Sequence, residues 1–364
     1  MKIARNLTAA RAMSADMQVN IERVIAQVAK VRELLTVIAD ESESQAKDRK
    51  DPDPLRVELA SAPTAPVSWL AERLGLTATE QHMLWVLIAH ELCPVARYKV
   101  REINTEHIVD PTIDTLRRSV YGDKPNMVAW RELGVGGALR RSVLVELVDQ
   151  GPEHRQTVKL ARRVLALVHG EVGLDDEMTY AAFDDAGAQL DELEIDSAAR
   201  SRLTAAFDGK GLVIVKGGAG SGRRSAIAAI ARTRGKRVLA VDGMAIAKER
   251  DKAARQLRVV ARECARFEAG PVIRQLEALG GAGEVPDRMD LVESELGGLC
   301  FATTTRAIVR RWRRPPVHVE LPPLGGAARA RLWAKALPVG QETAEQLANL
   351  YPLEIGRASC RERV

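Results

Sequence analysis

The stretch that most limits how this chain can fold is an apolar run at 212–215 followed at once by Lys216, Gly217, Gly218, Ala219, Gly220, Ser221, Gly222, Arg223, Arg224 and Ser225. The run Leu212, Val213, Ile214, Val215 has the length and β-branched content of a buried strand. The glycines punctuate it, and the Ala- and Ile-rich segment 225–232 reads as a helix. Strand, glycine turn and helix in that order form the context of a phosphate-binding loop. Glycines let successive backbone N–H groups turn inward around phosphate oxygens, and the helix start adds the positive end of its dipole. The candidate nucleotide-binding residues are therefore Gly217, Gly218, Ala219, Gly220, Ser221, Gly222, Arg223, Arg224 and Ser225.

The loop departs from the pattern G-x-x-x-x-G-K-[ST] at its last two places. Gly217 and Gly222 have the required spacing, but Arg223 stands at the lysine and Arg224 at the hydroxyl position. A serine comes one residue late, at Ser225. Arginine is a planar fork where lysine is a point charge, and Arg224 has no oxygen to offer Mg²⁺. The loop is suited to holding an anion and poorly suited to hydrolysis. A plain glycine turn joining strand to helix, with no ligand, is the alternative.

At 364 residues the chain has room for two or three domains, and 46% hydrophobic with 28% charged residues is the balance of an ordinary globular protein. A formal net charge of +5 is too small to argue for nucleic acid by itself. No apolar run approaches the ~18 residues of a membrane span, so no membrane partner is expected. The first ten residues lack the apolar core of a secretory signal. Cys93, Cys264, Cys300 and Cys360 are scattered with no C-x-x-C pair, which suggests free thiols in a reducing cytoplasm and no metal site.

The chain divides by pattern. Residues 1–62 hold an amphipathic helix (Ile21, Val24, Ile25, Val28, Val31, Leu34, Leu35, Ile38) and a charged linker. Residues 63–172 give three helices and then a two-stranded hairpin, the outline of a winged helix; Thr77 and Glu80 form a capping box. Arg117, Arg118, Arg140, Arg141, Arg162 and Arg163 are the cations that would meet DNA phosphates there. The expected recognition helix has no Asn or Gln to read adenine, so protein contacts are favoured over DNA. Residues 173–200 form an acidic connector, 201–322 alternate strand and helix around a parallel sheet covered on both faces, with a long basic helix at 245–267 and a fifth strand at 317–321 closed by Pro322 and Pro323, and 323–353 begin a helical lid. Residues 354–364 have the sequence of a translated sequencing adapter and are set aside as an artefact, which makes the chain a fragment of a longer protein.

The second half resembles an AAA+ ATPase module. The residues that carry this are the loop Gly217 to Ser225, the strand end Ala302-Thr303-Thr304-Thr305, and Val319-Glu320-Leu321-Pro322-Pro323 leading to Arg329, Ala330, Arg331, Leu332 and Trp333. With its N-terminal part, the chain looks like bacterial ATP-binding proteins that carry a variant winged helix ahead of AAA+ modules, the first of them degenerate. The resemblance implies ATP as ligand, Thr303 or Thr304 as the sensor at the end of the fourth strand, and homo-oligomers built through AAA+ modules in the intact protein. Arg306, Arg310, Arg311, Arg313 and Arg314 would be the source of a finger arginine, a solvated basic loop being the alternative. The family's acid pair should close the third strand near Pro271, and Glu277 is the sole acid there, on an expected helix. No carboxylate is placed to hold Mg²⁺ or activate water.

Three readings follow. In the first, the visible module binds ATP without turnover and is regulatory or structural, with ATPase activity supplied by a module downstream. The second is a winged-helix DNA-binding regulator with a non-catalytic loop. In the third, the chain is an active ATPase in which Arg223 replaces lysine. The sequence names no client.

Overall fold

A computed structural model describes residues 15–43, 70, 72–104, 108–122, 127–148, 151–184, 187, 189–281, 283–337 and 339–351. The charged linker and the adapter-like tail lie outside the described residues, as does Cys360. The chain divides into two compact units, Met1–Gly173 and Leu174–Val364.

The first unit is helical with one hairpin. Helix α1 (Ala15–Glu43) buries Val24, Val31, Leu34, Leu35 and Ile38 along one face, which packs against α2 (Ala78–Leu92) and α3 (Pro94–Ile103). The capping box at α2 is present: Thr77 Oγ1 accepts the Glu80 N–H at 3.1 Å, and the Thr77 N–H donates to Glu80 Oε2 at 2.9 Å. The other Glu80 oxygen accepts the N–H of Ala138, so a carboxylate 4% exposed is satisfied on both sides. Helices α4 (Ile113–Tyr121), α5 (Met127–Glu132) and α6 (Ala138–Arg141) lead to strands β1 (Val145–Val148) and β2 (Thr157–Leu160), which pair antiparallel, and α7 (Arg162–Val168) follows. Every residue of α4 is buried or half-buried. Of the six arginines expected at phosphates, four are held by protein oxygens: Arg117 by Asp114 and the Gly122 carbonyl, and Arg118, Arg140 and Arg163 by the carbonyls of Ile103, Leu133 and Gly173.

The second unit is a six-stranded sheet in the order β3-β5-β6-β7-β4-β8. It begins with β3 (Ala181–Phe183), followed by α8 (Ser197–Ala206) and β4 (Gly211–Gly217). Then come α9 (Arg223–Thr233), β5 (Arg237–Asp242), α10 (Arg250–Phe267), β6 (Ala269–Arg274), α11 (Met289–Leu296), β7 (Leu299–Thr304) and β8 (Val317–Leu321). Strands β4 to β8 run parallel, whereas β3 pairs antiparallel with β5. Helices α8 and α9 cover one face, over Val213, Val215, Val238, Val272, Phe301 and Val319. Helix α10 packs on β6 and α11. Helices α12 (Gly326–Ala336) and α13 (Gln341–Leu350) pack together through Ala330, Ala344 and Ala348.

Two stretches differ from the sequence expectation because of contacts between residues distant in sequence. Part of the expected acidic connector is structured: β3 lies in the sheet, and Asp175 pairs with Arg262 of α10, whose side chain is 1% exposed. Arg262 also meets Glu263 at 3.1 Å, which in turn meets Arg266 at 3.2 Å. The long helix expected from 245 starts at Arg250. Before it, the buried Arg288 donates to the carbonyls of Ile246 and Ala247 at 3.3 and 2.6 Å and holds that segment out of helix.

Candidate functional site

Strand β4 delivers the glycine loop to the carboxyl end of the sheet, where open α/β sheets place ligands. Its two neighbours are β7 and β8, with Val215 beside Thr303, Lys216 beside Thr304 and Gly217 beside Leu321. The expected sensor strand end therefore lies directly alongside the expected phosphate loop.

The loop's shape rests on particular glycines. Gly220 and Gly222 sit at φ +85° and +75°, in the left-handed region that disfavours residues with a Cβ. A Cβ on Gly217 would come within 2.5 Å of Ser221 Oγ and 3.1 Å of the Leu321 carbonyl. Ser221 is 4% exposed, and its hydroxyl has no hydrogen-bond partner. The Ser221 N–H closes the turn on the Gly218 carbonyl at 3.2 Å. Gly218 and Ala219 are exposed at the loop's tip. Gly222 caps the eleven-residue α9, whose first N–H groups have no helical acceptor. The loop and helix start together offer oriented donors and a positive dipole end.

The two arginines are already engaged. Arg223 donates through Nη1 to the backbone carbonyl of Thr304, at the end of β7. Burial lowers the pKa of its guanidinium, and the charge of Glu277 opposes that shift; arginine nonetheless remains a cation. Arg224 pairs through Nε with Asp184 Oδ2 at 2.8 Å, immediately after β3. Ser225 is half-buried on the first turn of α9.

The two threonines are used structurally. Thr303 Oγ1 accepts the Gln275 N–H at 3.4 Å, and Thr304 Oγ1 donates to the Arg306 carbonyl at 2.8 Å. Strand β6 ends in Arg274, and Gln275 follows in the left-handed region at φ +53°. That turn starts the 3₁₀ segment Leu276–Leu279 and carries Glu277 to the end of β7. There Glu277 Oε1 accepts both the N–H and the hydroxyl of Thr305, at 3.1 and 2.8 Å. Burial acts to raise the Glu277 pKa, but hydrogen bonds from its own backbone and from Thr305 outweigh it and hold the carboxyl below the usual range.

The basic segment after β7 is anchored along its length. Arg310 pairs with Asp287 at 2.9 Å and lies 4.7 Å from the Trp312 ring centre, while the Arg313 and Arg314 N–H groups donate to Glu293. The side chains of Arg306, Arg311, Arg313 and Arg314 are exposed.

From sequence, Asp184 counted only as one acid of the connector, and neither it nor Glu277 was given a role at the loop. Asp184 had no local signal, because only the pairing of β3 with β5 brings it near α9. Glu277 had one, as the first acid after a strand that ends beside the loop.

No family model matches this chain, and no curated protein matches it. Among solved structures it is similar to the FIGL-1 AAA domain in complex with ADP, at 12% identity and a TM-score of 0.37, over 48% of this chain and 70% of that one. Among the described residues there is no cluster of His, Cys, Asp or Glu that could hold a metal ion, and no helix is long and apolar enough to cross a membrane.

Proposed function

We propose that the second unit is an AAA+-type module that binds the phosphates of a nucleotide, ATP in the first instance, at Gly217 to Ser225 and does not hydrolyse it. The observation that carries this reading is the loop itself. A parallel strand ends in a glycine turn with two left-handed glycines, and this opens directly onto the start of an eleven-residue helix. Hydrolysis lacks its parts: position 224 has no hydroxyl, and Arg274 and Gln275 stand where the third strand would supply acids. The register of Thr303 and Thr304 beside β4 supports reading them as sensor-like neighbours of the loop. The module then serves a regulatory or structural role in a larger, cytoplasmic, homo-oligomeric ATPase, with the first unit as a winged-helix-like protein-interaction domain. The engaged arginines and the half-buried α4 weigh against duplex DNA as its partner.

The test is ATP binding by calorimetry with and without Mg²⁺, alongside phosphate release. Binding that is indifferent to Mg²⁺ and unaccompanied by release is the expected result. Mg²⁺-dependent release that disappears in Arg223→Ala would overturn the non-catalytic reading.

A further inference from the structure

One arginine of the loop pairs with a carboxylate of the same unit, and a second carboxylate is held next to the carbonyl that the other arginine binds. Arg224 is paired with Asp184, whose side chain is 9% exposed. Arg223 reaches the Thr304 carbonyl while Glu277 binds the adjoining Thr305, close enough for its charge to act on Arg223. Glu277 Oε2 is buried and has no hydrogen-bond partner. A carboxylate oxygen left unsatisfied beside a cation is an incomplete arrangement. It leaves Arg223 near a negative charge without a salt bridge to it.

We infer that Glu277 and Asp184 are internal counter-anions that set the loop's affinity, Asp184 by pairing with Arg224, which phosphate must displace, and Glu277 by a charge held near Arg223 on the neighbouring Thr305. This rests on the nucleotide-binding reading above and adds a determinant of affinity to it. Phosphate and carboxylate are both oxyanions that the planar guanidinium fork accepts, so they compete for the same donors. Glu277 is tethered by two bonds from Thr305, and Asp184 follows directly on the edge strand, so neither is lost to solvent when the phosphate leaves. A ligand must therefore bring more negative charge than the two carboxylates together, which favours di- and triphosphates over monophosphates.

The experiment is calorimetric titration of the full chain with ADP in the presence of a chelator, comparing wild type with Glu277→Gln, Asp184→Asn and, as a charge control on α13, Glu342→Gln. Removing either counter-charge is expected to tighten ADP binding about tenfold, the effect of one partly screened charge, while Glu342→Gln stays within about twofold of wild type. Pyrophosphate in place of ADP should respond by the same factor, because both carboxylates act on the phosphates. Wild-type binding that neither substitution changes overturns the inference and leaves the nucleotide reading standing. No binding by any variant overturns both. Thermal melts identify any variant that has lost its fold; should Glu277→Gln be one, Asp184→Asn carries the test, since Asp184 lies at an edge of the sheet and not between strands.

Discussion

Gly217 has no room for a methyl group, because Ser221 Oγ and the Leu321 carbonyl occupy the place a Cβ would take. Gly217→Ala is expected to cost about 1–3 kcal/mol of stability, as overpacking does, and to weaken ADP binding with it. Urea unfolding and an ADP titration on one sample check both. His90, on α2, is a second single-residue case. Burial lowers its pKa from 6.5, against the pull of Glu91 and a bond to the Val109 carbonyl. A histidine with a lowered folded-state pKa takes up its proton in the unfolded chain first. Stability from its neutral form is thus complete above about pH 6.5 and is lost as pH falls from there toward the folded value. His90→Asn should flatten the unfolding free energy between pH 7 and 5 by up to about 1.4 kcal/mol per pH unit. An unchanged slope would mean that other groups carry the dependence. At this scale the sequence was informative about backbone and uninformative about partners. The spacing of Gly217 and Gly222 identified the loop because glycine is a local demand. Nothing local showed that Arg224 would meet Asp184, since that ion pair exists only after two distant strands are side by side.

Helix α2 shows how much one element depends on its first turn. Thr77 and Glu80 satisfy each other's N–H groups, and Glu80 also takes the Ala138 N–H. Thr77→Ala is expected to destabilise the first unit by about 1 kcal/mol, while Glu80→Ala should cost more, because it also strands a donor from α6. Chemical denaturation of the two variants should rank them in that order; equal costs would mean that the Ala138 bond contributes nothing. The capping box could be read directly from Thr77-Ala78-Thr79-Glu80, as could β8, which lies between Pro315-Pro316 and Pro322-Pro323. Helix α10 began later than its pattern suggested because Arg288, far along the chain, holds the carbonyls of Ile246 and Ala247. Element type was legible from periodicity, and the boundary was set by a tertiary contact.

For the molecule, the division at 173 has an experimental meaning. A chain starting at Leu174 keeps β3 and Asp175. A chain starting at 201, where the sequence pattern alone places the module, loses both and leaves Arg262 buried without its aspartate. Removing one partner of a buried ion pair costs roughly 3–5 kcal/mol, so the shorter fragment should melt well below the longer one. Similar melting points would show that Glu263 alone suffices for Arg262. The arrangement of β4 also bears on how the chain is made. Strand β4 has no partner among the strands that immediately follow it; both its neighbours, β7 and β8, are the last two of this sheet's strands in sequence. A ribosome that stalls before Leu299 therefore presents Gly217 to Ser225 on a strand with nothing on either side of it. Pairings this remote in sequence form slowly, and an unpaired apolar strand awaiting them is open to capture by other chains. The glycine loop emerges from the ribosome early and acquires its shape only when synthesis of the sheet is complete.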